Sequence, residues 1–374
     1  MKRVRVYQEW EAFPESYRKL FEINNQVSSF FFSYPWLDNL IRNSLSHEHT
    51  MRFFGLEGES DGAAYALAPM CFSPSHQRWY APRKLTSAAN YYSSLFHLIQ
   101  EEGDSHAHAY VNQLIRGIID DTPQWDCVDL HPMAVDSAQF ASVEQAFRDA
   151  GASTQAYFCF GNWYLVLNGR SFQEYFNSVP SRLRNTIERK SRQLEKSHGL
   201  TIKLVQTQAE LGLAAAAYDQ VYQSSWKQAE VHPHFITGLM QTCAQQGCLR
   251  LGIAYINDQP VAAQLWIVYR GVASIYKLAY DEQFAQFSIG SILTAHMMKH
   301  VIDIDHVTEV DYLTGDDNYK KDWMSHRRER WGVIAFNQAT IKGRLAGFWH
   351  LGRQAIKRGF FNIKFVFKNL TKIA

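Results

Sequence analysis

The chain has little from which a covalent or metal-held framework is built. Its five cysteines stand at positions 71, 127, 159, 243 and 248, with no Cys-x-x-Cys pair. That spacing excludes a disulfide scaffold and a zinc ribbon, and it predicts reduced thiols in a cytosolic protein. A Gly-x-Ser-x-Gly elbow, a Walker A loop and a dinucleotide fingerprint are all missing, so three common catalytic and nucleotide devices lack their recognisable form. His296 and His300 stand four apart on a predicted helix, but there is no adjacent glutamate as in His-Glu-x-x-His and no evident third ligand. They read as helix-flank residues, and no metal is expected. Charge of one sign is missing too. The sum of 38 Lys and Arg against 36 Asp and Glu is +2, and no specific nucleic-acid partner is expected from it. Met1-Lys2-Arg3-Val4-Arg5 leads into no apolar run, which predicts no signal peptide. The uncharged stretch 151–169 carries Ser153, Thr154, Gln155, Gly161 and Asn162. It is too polar to read as a membrane span and predicts two strands about a Gly161-Asn162 turn.

What is present is an ordinary folding composition: 374 residues, 46% hydrophobic and 20% charged. At about 150 residues per domain this predicts two domains, with a boundary near residue 175. In the first half, Ser33 and Pro35 predict the start of a helix with Trp36, Leu37, Leu40 and Ile41 on one face. Met51 to Leu56, Ala63 to Cys71 and Trp125 to Leu130 predict strands; Tyr92 to Gln100 and Val143 to Ala150 predict helices. Ser171-Phe172-Gln173-Glu174 fits a capping box. The second half reads more plainly. Arg182 to Ser197 is a strongly basic helix, either a solvated face or a site for an anionic ligand. A strand over Thr201 to Val205 and helices over Gln208 to Gln223 and Phe235 to Gln246 follow. Leu249 to Ile256, Val261 to Tyr269 and Val272 to Tyr280 then predict an antiparallel meander with tight turns. A helix from Ile289 to Ile302 and strands over Glu309 to Leu313 and Val333 to Asn337 complete the pattern.

The block that carries chemistry is meander, tight loop, helix, strand. Asp281 to Ser291 feeds straight into the helix. Ser288 is placed to cap it, and Gly290 lets an anionic group approach the backbone closely. The unsatisfied N–H groups and the dipole of a helix start form a seat for a diphosphate. Ser288, Ile289, Gly290 and Ser291 are therefore the candidate cofactor contacts.

The order of these elements resembles the GNAT acyltransferase fold. The detailed wording resembles its CelD/BcsL-like branch, acyltransferases associated with cellulose and exopolysaccharide biosynthesis. The resembling pieces are Phe32 to Leu37, Trp125 to Leu130, the helix Arg182 to Glu195, Ser225-Trp226-Lys227, Ala279-Tyr280-Asp281, Val310 to Asp316, and Tyr319-Lys320 with Trp323. The resemblance implies an α/β (α+β) protein of two tandem GNAT-like domains. Each would be a mixed, mostly antiparallel sheet flanked by helices, packed as in the Fem-type aminoacyltransferases. Residues 1–175 would be the acceptor side, 176–338 the donor side, and 339–374 a basic tail. It further implies that the strands Val272–Tyr280 and Glu309–Leu313 part to admit a pantetheine arm, with acetyl-CoA as the donor and no metal. In that setting Asp281, Asp311, Tyr319 and Lys320 are the catalytic candidates: a base for the acceptor's proton, a proton donor for the thiolate, and a cation for substrate. Asn90 and Tyr92 in the first half, with Trp226 and Lys277 in the second, are the candidate acceptor contacts.

The expected activity is acyl transfer to a sugar or glycan precursor. Two alternatives stay open: a Fem-like aminoacyltransferase that holds charged tRNA on the basic helix, and a non-catalytic scaffold of a polysaccharide synthase. The end of the chain adds a partner. From Val333 onward there is no acidic residue, while Lys342, Arg344, Arg353, Lys357, Arg358, Lys364, Lys368 and Lys372 are basic. Leu345, Trp349, Ile356, Phe360, Ile363, Phe367 and Leu370 recur at helical spacing. Residues 345–374 are thus expected to meet an anionic membrane surface or a synthase complex, for a cytoplasmic protein held at the inner face of the membrane.

Overall fold

The computed structural model describes residues 2–11, 13–24, 29–45, 49–73, 81–101, 103–197 and 199–350. The chain runs β1 (Lys2–Tyr7), α1 (Glu15–Asn24), α2 (Tyr34–Asn43), β2 (Thr50–Gly58), β3 (Ala64–Ser73), β4 (Lys84–Ser87), β5 (Ile99–Gln100), α3 (Ala107–Ile119), β6 (Cys127–Ala134), α4 (Ala138–Asp149), β7 (Ser153–Val166), α5 (Phe172–Ser178), α6 (Ser181–Ser197), β8 (Leu200–Val205), α7 (Gln208–Gln223), α8 (Pro233–Gln245), β9 (Leu249–Ile256), β10 (Gln259–Tyr269), β11 (Val272–Tyr280), α9 (Ile289–Asp303), β12 (Glu309–Asp311) and β13 (His326–Phe336). The architecture is mixed α/β, as the order of patterns predicts. Of the tail expected over 345–374, residues 351–374 lie outside the described residues. No helix among the described residues is long and apolar enough to cross a membrane.

Two units divide the chain. Unit 1 comprises the described residues of Met1–Ile23, Glu48–Cys159 and Trp331–Ala374. In it β1, β2, β3 and β4 form an antiparallel ladder. β6 then returns parallel to β4, pairing Lys84 to Thr86 with Cys127 to Asp129. The helices α3 and α4 bury Leu114, Ile115, Ile118, Val143 and Phe147 against Val128 and Leu130 of β6. Unit 2 comprises Asn24–His47 and Phe160–Arg330. Its ladder is β8, β9, β10 and β11, again antiparallel. β12 returns parallel to β11, and the second half of β7 closes on β12. Each unit therefore repeats one plan: four antiparallel strands, a helix, then a parallel strand.

Local chemistry explains the main elements. Ser33 caps α2 through the N–H of Trp36 at 3.2 Å, with Pro35 in the first turn. Trp36 and Leu40 then face inward, and the Asn39 amide donates to the carbonyl of Phe235 in α8 at 3.3 Å. Ser171 and Glu174 form the expected capping box at α5. The helix α9 lays Leu293 and Met297 on β9 at Gly252, where a Cβ would come within 2.5 Å of the Met297 sulfur.

Three expectations are corrected. Tyr92 to Gln100 is not a helix: the Asn90 carboxamide accepts from the N–H of Tyr92 at 3.0 Å in a turn, and the segment ends in the short β5. Gly161-Asn162 is not a turn but the middle of the continuous strand β7. A Cβ at Gly161 would meet the Arg327 guanidinium and the Asp316 carboxylate, so the glycine admits a crossing loop there. β12 stops at Asp311 rather than at Leu313, because Leu313 takes a left-handed φ of 53°. The tight packing at Gly252 is testable. Gly252→Val is expected to cost about 1–3 kcal/mol by overpacking α9 against β9, measured by urea denaturation.

Candidate active site

In unit 2 the parallel pairing of β11 and β12 lasts only from Val272–Glu309 to Ser274–Asp311. β11 runs on to Tyr280, still held by β10 on its other side. From Ile275 onward no strand among the described residues pairs with it on that side. A cavity of about 360 Å³ fills the parting. Leu278, Ala279 and Tyr280 of β11 line it, with Gly290, Ser291 and Thr294 of α9, Tyr312 and Tyr319 beyond β12, and Trp226 after α7.

The start of α9 is placed with care. A 3-10 turn over Glu282–Phe287 ends at Ser288, whose φ of 55° is left-handed. Ser288 holds the N-cap position, but its side chain makes no capping bond, contrary to the sequence expectation. The first N–H groups of the helix have no intrahelical acceptor and carry the positive end of its dipole. A Cβ at Gly290 would lie 3.1 Å from the Tyr280 ring, so only glycine leaves that approach open. Gln264, buried on β10, pins this turn. Its amide donates to the Gly290 carbonyl at 3.1 Å and to the Thr294 hydroxyl at 2.8 Å, and accepts from the Trp266 indole at 2.9 Å.

The opposite wall is a loop tied down by hydrogen bonds. Asp311 is buried. Its Oδ1 accepts from the Leu313 N–H at 2.7 Å and the Asn162 amide at 2.5 Å, and its Oδ2 pairs with Arg328 at 2.6 Å. Asn162 in turn accepts from Arg328 at 2.7 Å and donates to the Leu313 carbonyl at 2.9 Å. Lys320, 4% exposed, reaches under the loop. Its Nζ donates to the carbonyls of Thr314 at 2.5 Å and of Tyr312 and Gly315 at 3.3 Å, and pairs with Asp317 at 3.5 Å. Burial pulls its pKa below the ordinary lysine range, against the pull of Asp317.

The sequence candidates thus separate. Gly290, Ser291, Trp226 and Tyr319 share one cavity, with Ser288 and Ile289 at its helix. Asp281 caps the 3-10 turn, accepting from the Gln283 N–H at 2.9 Å. Asp311 and Lys320 hold the loop from behind. Lys277 pairs with Glu230 at 2.7 Å. Asn90 and Tyr92 belong to unit 1, where Tyr92 is buried. Missed from the sequence were Gln264 and Lys227. Lys227 is half-buried, and burial, helped by the like charge of Lys277, brings its pKa down to about 8. Tyr319 moves the other way, up to about 12, through burial and then Asp317. Among the described residues no group of three His, Cys, Asp or Glu side chains is placed to hold a metal.

Their positions give the loop residues a measurable structural part. Asp311→Ala and Lys320→Met are each expected to lower stability by about 2–4 kcal/mol, since each leaves buried partners without their counter-group. Chemical denaturation checks this. Unchanged stability with lost activity would move both residues from the scaffold to the chemistry.

The geometry is matched by comparison. The family model described as an acetyltransferase (GNAT) domain matches residues 181–321. No curated protein matches the chain in sequence. Among solved structures, FemX is 10% identical with a TM-score of 0.58, over 86% of this chain and 96% of that one. The C-terminal domain of a putative lysylphosphatidylglycerol synthetase from Agrobacterium fabrum is 12% identical with a TM-score of 0.54, over 89% and 94%. L-PGS from Bacillus licheniformis is 13% identical with a TM-score of 0.50, over 85% and 96%. At such identities these likenesses speak for the fold. Residues 181–321, the stretch that matches the model of a GNAT acetyltransferase domain, carry the parted strands, the helix start and the loop beyond β12.

Proposed function

We propose that the protein transfers an acyl group, acetyl from acetyl-CoA, to an amine or hydroxyl of a sugar or glycan precursor in envelope polysaccharide synthesis. The observation that carries this reading is the cavity at the parting of β11 and β12, with the start of α9 on one wall. An acyl-CoA supplies the activated acyl group as a thioester. The N–H groups at Ser288–Ser291 hold its diphosphate, and the free edge of β11 offers N–H donors to the thioester carbonyl. Trp226, 48% exposed and with its ring 4.7 Å from that of Tyr280, gives a sugar face an aromatic platform. Lys227, next in the chain to the cavity-lining Trp226 and with its pKa brought down to about 8, takes the acceptor's proton. The Tyr319 hydroxyl stays protonated at neutral pH and gives a proton to the departing sulfur. Such precursors are built on the cytoplasmic side of the membrane, and we place the protein there.

One observation favours a second reading. Leu183, in the first turn of α6, lines the cavity, while Arg182, Arg189, Arg192 and Lys196 on the same helix are exposed. A charged tRNA laid along α6 would bring an aminoacyl end to the cavity, as a Fem-like aminoacyltransferase requires. Calorimetry with acetyl-CoA and, separately, with tRNA divides the readings. Binding of the thioester supports the first and retention of tRNA alone the second; neither leaves a scaffold of a polysaccharide synthase.

Two variants test the first reading. Gly290→Asp sets a carboxylate at the diphosphate seat and is expected to weaken acetyl-CoA binding at least about tenfold, or ~1.4 kcal/mol. An unchanged Kd in the folded variant removes the seat. For Lys227 the sign is that of a base, so turnover rises with pH through about 8 as the ammonium loses its proton. Lys227→Met is expected to lower kcat by about 100-fold and to erase that limb of the pH profile. A limb that persists in the variant assigns the proton to another group.

A further inference from the structure

Residues 341–350 form a helix at the end of the described chain. It is amphipathic the wrong way round. Its inward face is made of glycine. A Cβ at Gly343 would meet the backbone carbonyl oxygens of Asn337 at 2.2 Å and Asp126 at 2.8 Å, and one at Gly347 would meet the Phe336 side chain at 3.2 Å. His350 follows on that side, its ring 5.4 Å from Phe336. The bulky apolar residues stand on the other face: Ile341 is 70% exposed, Leu345 57%, Phe348 78% and Trp349 68%. A helix that needs only unit 1 for its stability shows the reverse pattern, large apolar groups inward and polar ones outward. The glycines also cost helix propensity, about 1 kcal/mol each relative to alanine. Both choices make sense if the helix must lie close to the body and offer its large side chains to something else.

We propose that this face docks on an anionic lipid bilayer. Charge selects the occupant. Arg344 is exposed on the same helix, and the sequence after it adds six Lys and Arg with no Asp or Glu. A second copy of the chain would bring equal basic charge against itself. A bilayer with anionic headgroups takes aromatic and aliphatic side chains at the acyl boundary and Lys and Arg at the phosphates at the same time. The inference rests on the exposed face and its charge, and stands apart from the reaction proposed above.

Cosedimentation of the full chain with vesicles tests it. Phosphatidylcholine mixed with phosphatidylglycerol is compared with phosphatidylcholine alone, at low and at raised salt. The expected result is binding to the anionic vesicles that weakens with salt. The pair Phe348→Ser and Trp349→Ser, made together, is expected to weaken binding at least about tenfold without moving the unfolding midpoint, because both side chains are exposed. The proposal is overturned if the intact chain stays in the supernatant at low salt, or if the double variant binds as tightly as the parent. It is also overturned if light scattering shows a dimer without lipid that the double variant abolishes, since the face then belongs to a second copy.

Discussion

The carboxylate of Asp311 decides where two strands part. While β12 runs parallel to β11 its backbone is satisfied by the ladder. At Asp311 the side chain accepts from the Leu313 N–H, two residues on, and the chain bends away with Leu313 in the left-handed region. Asn162 and Arg328 hold the carboxylate in that posture. A buried acid with three donors is expensive to disturb, so the parting is a fixed feature of the fold. The aromatic cavity, the free edge of β11 and the approach to α9 all follow from it.

The second wall obeys a similar logic with less charge. Gln264 satisfies both ends of its carboxamide inside the sheet–helix interface and so sets the first turn of α9 against β10. The start of α9 at Ser288–Ser291 is thereby fixed against β10, with Gly290 close to the Tyr280 ring. The two lysines differ in setting: Lys320 gives its ammonium to three carbonyls of the loop, while Lys227 is half-buried with its pKa brought down to about 8.

Much of this was legible in the residues. The capping box at Ser171, the cap at Ser33, the meander and the helix after Ser288 all follow from local patterns of turn, cap and apolar period. Gly290, Ser291, Trp226 and Tyr319, singled out from the sequence, line one cavity, and they lie on or beside strongly patterned elements. What escaped depends on distant partners. Nothing near Gly161 tells that Arg327 and Asp316 cross it, so a Gly-Asn pair read as a turn. Asp281, Asp311 and Lys320 have side chains suited to catalysis, and each also bonds backbone groups that no spacing rule reveals. Gln264 stands in an apolar strand as one polar residue among many candidates. The helix over Ala107–Ile119 is absent from the sequence reading although Tyr110, Val111, Leu114, Ile115 and Ile118 keep the helical period.

The division of the chain bears on how the protein is made. Unit 2 contains α2, whose Asn39 waits for a carbonyl at Phe235, 196 residues later. Unit 1 contains Val333 and Ala335 in its core, close to the end of the described chain. On the ribosome, therefore, the first unit begun is among the last completed, and a piece of the second emerges while the first is still being written. Each unit can be completed only when its separate segments have all been made. The hairpins β2–β3 and β9–β10–β11 can pair as soon as they emerge, while the contact of Asn39 with Phe235 has to wait for the later segment.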